Sequence, residues 1–141
     1  MEFDLNQTDE LLATTRAVRK RLDFDRAVPR DVIEECIGLS QQAPTGTNSQ
    51  GWRWLIIEDA EKRAGLAELY KKMADIYLAE EGRKAAESGD AQTARVLESA
   101  VFLAENLQNA PVHVIPCLQG RPPEGTPLMG IAAMMGSIFP A

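Results

Sequence analysis

Two stretches of the chain carry residue types suited to binding chemistry. The first is "RAVRKRL" at 16–22, which gathers Arg16, Arg19, Lys20 and Arg21. Arg16 and Arg19 are three apart, so a helical turn would face both guanidinium groups to one side. A forked guanidinium suits the oxygens of a phosphate. Thr14 and Thr15 precede the pair and can cap the turn or add hydroxyl donors. A solvated basic helix face has the same spacing, so the pattern by itself leaves both readings open. The second stretch is "APTGTNSQGWRW" at 43–54. Gly46 gives the backbone conformational freedom and lets a flat ligand approach closely. Thr45, Thr47, Asn48, Ser49 and Gln50 add donors and acceptors that can pair with the heteroatom edge of a planar ring. The alternative is a plain polar connection between a helix and a strand. At eight residues (44–51) it exceeds the usual length of such a connection, which favours a functional loop.

Charge narrows the partner. The chain has a net charge of −6; setting aside the +4 of the basic stretch leaves −10 on the remainder. A concentrated basic patch on an acidic protein suits one small anionic ligand, and the acidity argues against nucleic-acid binding. The 141 residues suffice for a single domain spanning 1–141, and 45% hydrophobic with 26% charged residues is ordinary for a globular protein. The opening "MEFDLNQTDELL" lacks the layout of a signal peptide, and no apolar run approaches the roughly 20 residues needed to span a bilayer. The expectation is a cytoplasmic protein without membrane association. Cys36 and Cys117 lie far apart in apolar surroundings and are expected as buried, reduced thiols. With His113 the only histidine, and no Cys pair, no metal site is expected. His113 itself, in an apolar run, is expected as a hydrogen-bonded structural residue.

The positioning elements are set by periodicity. Residues 4–14 predict a short amphipathic helix with Leu5, Leu11 and Leu12 as its apolar members. Pro29 fits the first turn of a second helix, whose apolar residues are Val32, Ile33, Cys36, Ile37 and Leu39. That helix should end near Gln42, because Pro44 disfavours the α conformation at Ala43. "WRWLIIE" (52–58) alternates and predicts a strand, with Trp52 and Trp54 packing on one face. A helix is expected over 59–87 with Leu66, Leu69, Met73, Ile76 and Tyr77 on one face; Tyr70 and Tyr77 are expected to pack. "SGD" breaks it before a helix over 91–108, with Val96, Ala100, Leu103 and Leu107 on its buried stripe. "APVHVIPCL" (110–118) reads as a strand central in a sheet, with Pro116 marking a bulge or the strand's end. No charge occurs from Gly125 to Ala141, and this segment reads as the start of a buried helix.

Taken together, "TTRAVRKRL", "AVPRDVIEECIGLSQQ", "APTGTNSQGW" and "WRWLIIE" resemble, in order, spacing and residue type, the beginning of the FMN-dependent nitroreductase family. The similarity runs across roughly residues 10–60 and continues more weakly beyond. It implies an α+β, nitroreductase-like fold with an incomplete sheet flanked by helices, in an intertwined homodimer with FMN at its interface. By the resemblance Arg16 and Arg19 bind the FMN phosphate, with Ala17 and Val18 passing close to it. Pro44, Thr45, Gly46 and Asn48 contact the flavin, the loop reaching across to the cofactor held mainly by the partner subunit. The implied activity is hydride transfer from NAD(P)H, through the flavin, to nitroaromatics, quinones or related acceptors. The flavin carries that chemistry, so no catalytic side chain is expected. The helix over 59–87 corresponds to a variable region that can cover the active site.

Three departures stand out. Ala17 replaces a frequent Ser, and Gly51 replaces the usual Pro before Trp52. Family members are also longer, and in them a segment like "GSIFPA" opens a long buried helix at the dimer interface. The chain is therefore expected to correspond to the N-terminal part of such an enzyme. The alternative is a catalytically inactive flavin-binding or protein-interaction remnant that pairs through "GIAAMMGSIFP".

Overall fold

Asp4 starts the first helix, its carboxylate accepting from the N–H groups of Asn6 and Gln7 at 3.0 and 3.2 Å. The structure, a computed structural model, describes residues 4–45, 48–121, 123–125 and 127. The chain divides into two compact units. One holds Met1–Leu22 with Tyr70–Asn106, the other Asp23–Leu69 with Leu107–Ala141.

In the first unit, α1 (Leu5–Thr14) ends where two threonines fold back on it. The hydroxyls of Thr14 and Thr15 donate to the carbonyls of Glu10 and Leu11, both at 2.6 Å. Such back-bonding offers the backbone an alternative to continuing the helix. Thr15 turns to ψ 125°, and residues 15–18 run on without helical structure. The expectation that Arg16 and Arg19 share a helical turn is therefore corrected. The threonine hydroxyls serve the helix end and are not offered outward. α1 buries no residue: Leu5, Leu11 and Leu12 are all more than 60% exposed.

α3 (Ala60–Ser88) begins in the second unit, and its second half lies in the first. Leu69, Met73, Ile76 and Tyr77 share the expected stripe, but each is about 60–70% exposed, and Tyr70 is exposed too. Neither Tyr70 nor Tyr77, expected to pack in the core or on the surface, is buried in the core formed by the described residues. Gly89, at φ +68°, stops the helix in the left-handed conformation that glycine adopts at least cost. Asp90 then caps α4 (Ala91–Asn106), whose Ala104 is buried.

The Asp90 cap sets a pH dependence. The Thr93 hydroxyl, then the N–H groups of Gln92 and Thr93, donate to the Asp90 carboxylate and hold its pKa below the ordinary Asp value. A carboxylate depressed in the folded state stabilises it at pH values above the ordinary one. That contribution is lost as pH falls through the lowered folded value. Asp90→Ala is expected to lower the protection of amides across the first turn of α4 at neutral pH, and acidification of the parent protein below the carboxylate range should lower it likewise once exchange is referred to its intrinsic rate at each pH.

In the second unit, Pro29 sets φ −59° ahead of α2 (Arg30–Ser40), in which Ile33 is buried. Arg30 fastens the helix by ion pairs to Glu34 at 2.8 Å and Glu58 at 3.4 Å. The strands β1 (Trp52–Ile57) and β2 (His113–Leu118) pair antiparallel, with Trp52 opposite Leu118 and Trp54 opposite Pro116. The Gln119 N–H donates to the Gly51 carbonyl at 2.8 Å. Counting by two from that bonded pair puts Pro116 in a non-hydrogen-bonded pair, its nitrogen facing out of the ladder. No N–H is missed, and Pro116 sits inside the strand without ending it. Among the described residues the sheet has two strands, so the expected central position of β2 is corrected. A continuous apolar run does not distinguish a central strand from one whose faces are each half-covered.

Cys36 is exposed and Cys117 half-buried, both unbridged. This corrects the expected burial of Cys36: Ile33 and Ile37 occupy the inner line of α2, and Cys36 lies on an open apolar groove of about 340 Å³ with Val28, Val32, Trp54 and Val114. His113 is half-buried, and its Nε2 lies 2.9 Å from the Leu107 carbonyl, the structural role expected of it. Helices together with a small antiparallel sheet give the expected α+β class. No helix among the described residues is long and apolar enough to cross a membrane.

Arg63, on the first turn of α3, ties together the chain leading into β2. Its Nη1 donates to the carbonyls of Gln108 (2.9 Å) and Ala110, and its Nε to that of Glu58 (3.2 Å). Charge-assisted bonds of this kind contribute about 1.5–3 kcal/mol each when shielded and less when half-exposed. Arg63→Met is expected to lower stability by about 1–2 kcal/mol, read as a lower urea midpoint.

Candidate functional site

The basic turn belongs to the first unit and the polar loop to the second. In the turn, Lys20 is neutralised by Glu98 at 2.7 Å. Arg16 and Arg19 have no carboxylate partner among the described residues. Exposed Arg16 donates Nη1 to the Thr15 carbonyl at 2.7 Å. Half-buried Arg19 reaches the Ser99 hydroxyl at 3.5 Å, the outer limit of a hydrogen bond. Ala17 and Val18 are exposed between them. Their N–H groups make no backbone–backbone bond among the described residues. Two un-neutralised guanidinium groups and the open amides between them in sequence are donors of the kind a phosphate takes.

The loop is fixed by its own polar groups. Asn48 N–H donates to the Thr45 carbonyl at 3.0 Å and Gln50 N–H to the Thr45 hydroxyl oxygen at 3.1 Å. Gln50 Nε2 donates to Asn48 Oδ1 at 3.0 Å. These bonds hold Asn48 and Gln50 at φ 54° and 47°. Asn accepts that left-handed region readily and Gln does so at some cost. Among the described residues this leaves the Asn48 amide donors, the Gln50 carbonyl oxygen and the Thr45 hydroxyl proton for a ligand. Pro44 is exposed at the loop's start. Gly46 and Thr47, both named from the sequence, lie outside the described residues.

The loop runs straight into a packed strand. Trp52 is 5% exposed, and Trp52 and Trp54 both bury an indole N–H that meets no acceptor among the described residues. The two share a face of β1 as expected. Two further residues were not singled out from the sequence: Arg53 donates to Gln119 Oε1, and Gln119 in turn secures Gly51. The larger depression at the α3–α4 corner, about 410 Å³, is lined mostly by Gly and Ala, with Asp90 already committed to its cap.

A sequence profile described as the nitroreductase family matches residues 12–137, a span that contains both the turn and the loop. The chain belongs to the nitroreductase family. No curated protein gives a significant match. Among solved structures, this nitroreductase-family chain is similar to a BluB-like flavoprotein from Clostridium difficile 630. The two superpose with a TM-score of 0.57 at 17% identity, over 98% of this chain and 65% of the other. At that identity the similarity is one of fold, and it supports a nitroreductase-like architecture. The chain thus spans about two thirds of that relative's length.

Proposed function

We propose that this nitroreductase-family protein is an FMN-dependent oxidoreductase that passes hydride from NAD(P)H to nitroaromatic, quinone or related acceptors. The observation that carries this reading is the pair Arg16 and Arg19, un-neutralised and flanking open amides in sequence, within a chain whose family profile also includes the 44–50 loop. Arg16 and Arg19 hold the phosphate of FMN, with the Ala17 and Val18 amides beside it. Pro44, Thr45, Gly46 and Asn48 lie against the ring. Asn48 amide donors and the Gln50 carbonyl suit the alternating acceptors and donors of a flavin's pyrimidine edge. When bound, the flavin supplies the two-electron chemistry itself. The residues' work is to bind, orient and keep the ring's edge paired.

The functional form is a homodimer, with the loop of one protomer completing the site of the other. The exposed apolar residues Leu5, Leu11 and Leu12 on α1 and Leu69, Met73, Ile76 and Tyr77 on α3 support this, because apolar helix faces left this open suit an interface. We place the protein in the cytoplasm, where reduced nicotinamide is at hand. The same faces favour a second reading, a flavin-binding partner protein without turnover of its own.

The test is anaerobic addition of NADH or NADPH to FMN-loaded protein. The flavin's visible absorption should bleach and return on adding a quinone. Bound flavin that both NADH and NADPH leave oxidised supports the second reading, and protein that ignores added FMN contradicts both.

A further inference from the structure

Arg53 differs from the other fastened arginines of its unit. Arg30 is ion-paired to two glutamates, and Arg63 is committed to three carbonyls. Arg53 is oriented without being neutralised. Its Nη1 donates to the Trp52 carbonyl at 2.6 Å and its Nη2 to Gln119 Oε1 at 2.5 Å. Gln119 is fixed by its own N–H on the Gly51 carbonyl. The guanidinium is thereby held at the end of the antiparallel strand pair from which the 44–51 loop emerges, with three N–H groups remaining. No carboxylate pairs with Arg53 among the described residues. No charge lies between Glu35 and Arg53, and the next charged residue after Glu105 is the exposed Arg121, two beyond Gln119. On a chain of net charge −6, Arg53 and Arg121 both lie near this end of the strand pair in sequence, and the acidic residues nearest to them along the chain are Glu58, ion-paired to Arg30, and Glu124.

A pre-oriented, un-neutralised guanidinium is a receptor for an oxyanion. The geometry points to an oxyanion subsite here, with Arg53 contacting and Arg121 adding charge, for a phosphate or carboxylate on the molecule that exchanges electrons at the 44–51 loop. This rests on the proposed flavin site. Arg16 and Arg19 are assigned the flavin's own phosphate, so the second set serves a co-substrate. The diphosphate of NAD(P)H and the carboxylate of an acidic acceptor share the required chemistry.

The test uses Arg53→Gln and Arg121→Gln in FMN-loaded protein, with two pairs of substrates. NADH is compared with 1-benzyl-1,4-dihydronicotinamide, which lacks phosphates, and 4-nitrobenzoate with nitrobenzene. Loss of one charge-assisted contact should raise the KM ratio of the anionic to the neutral member roughly tenfold. A rise confined to the nicotinamide pair assigns the subsite to the dinucleotide, and one confined to the nitro pair assigns it to the acceptor. No rise in either pair overturns the inference. If the protein takes up no flavin, the flavin reading fails separately. The subsite is then decided by titrating inorganic diphosphate against the fluorescence of Trp52 and Trp54: a saturable change lost in Arg53→Gln supports it, and no change in the parent protein overturns it.

Discussion

The Arg16→Ala, Arg19→Ala double variant is expected to elute colourless from a column on which the parent protein, loaded with FMN, stays yellow. Each guanidinium contributes a charge-assisted contact worth about 1.5–3 kcal/mol where it is shielded from solvent. Losing both weakens FMN binding by about two to four orders of magnitude. The smaller figure applies if Arg16 remains as exposed in the complex as in the chain. Lys20→Ala is the control: Lys20 is already paired with Glu98, and its loss removes a surface ion pair that contributes little. Should the double variant keep its flavin, or Lys20→Ala lose it, the assignment of the phosphate to Arg16 and Arg19 is wrong. Fluorescence titration of FMN measures both.

The second large effect is on stability. Trp52 is one of few buried large side chains, at 5% exposure, and it lies opposite Leu118 where the loop enters β1. Trp52→Ala is expected to cost about 3–5 kcal/mol, enough to unfold a small unit or shift its urea midpoint drastically. Trp52→Phe should behave differently. It keeps most of the apolar surface and removes an N–H that meets no acceptor among the described residues. Its cost is expected within about 1 kcal/mol, because the lost area is offset by the lost desolvation penalty. If Ala and Phe have equal effects, the indole is not packing as described.

Much of this was legible in the residues themselves. Asp4, Pro29, Gly89 and Asp90 are strong local signals, and the helices start and stop where they act. The alternation of "WRWLII" identified β1 for the same reason. The apolar run at 110–118 was legible as a strand but not as one half of an antiparallel pair, since its period carries no information about its neighbours. The basic turn was legible as a cluster of cations, yet its backbone was not. Whether Thr14 and Thr15 cap outward or fold back depends on hydroxyl rotamers that spacing does not encode. The left-handed Gln50 was equally hidden, because Gln rarely signals that conformation. Arg53 and Gln119 meet across 66 residues of sequence, a contact that exists only once the register of the strand pair is set. Exposure of Leu69, Met73, Ile76 and Tyr77 was also hidden. Periodicity identifies an apolar face but does not say whether the same chain covers it.

The most direct test of the central claim is a paired titration with FMN and with riboflavin, which differ only in the phosphate. If Arg16 and Arg19 hold that phosphate, FMN binds more tightly by on the order of a hundredfold, and the preference disappears in the double arginine variant. Equal affinity for the two flavins, or a preference for FMN that survives loss of both arginines, would contradict the account.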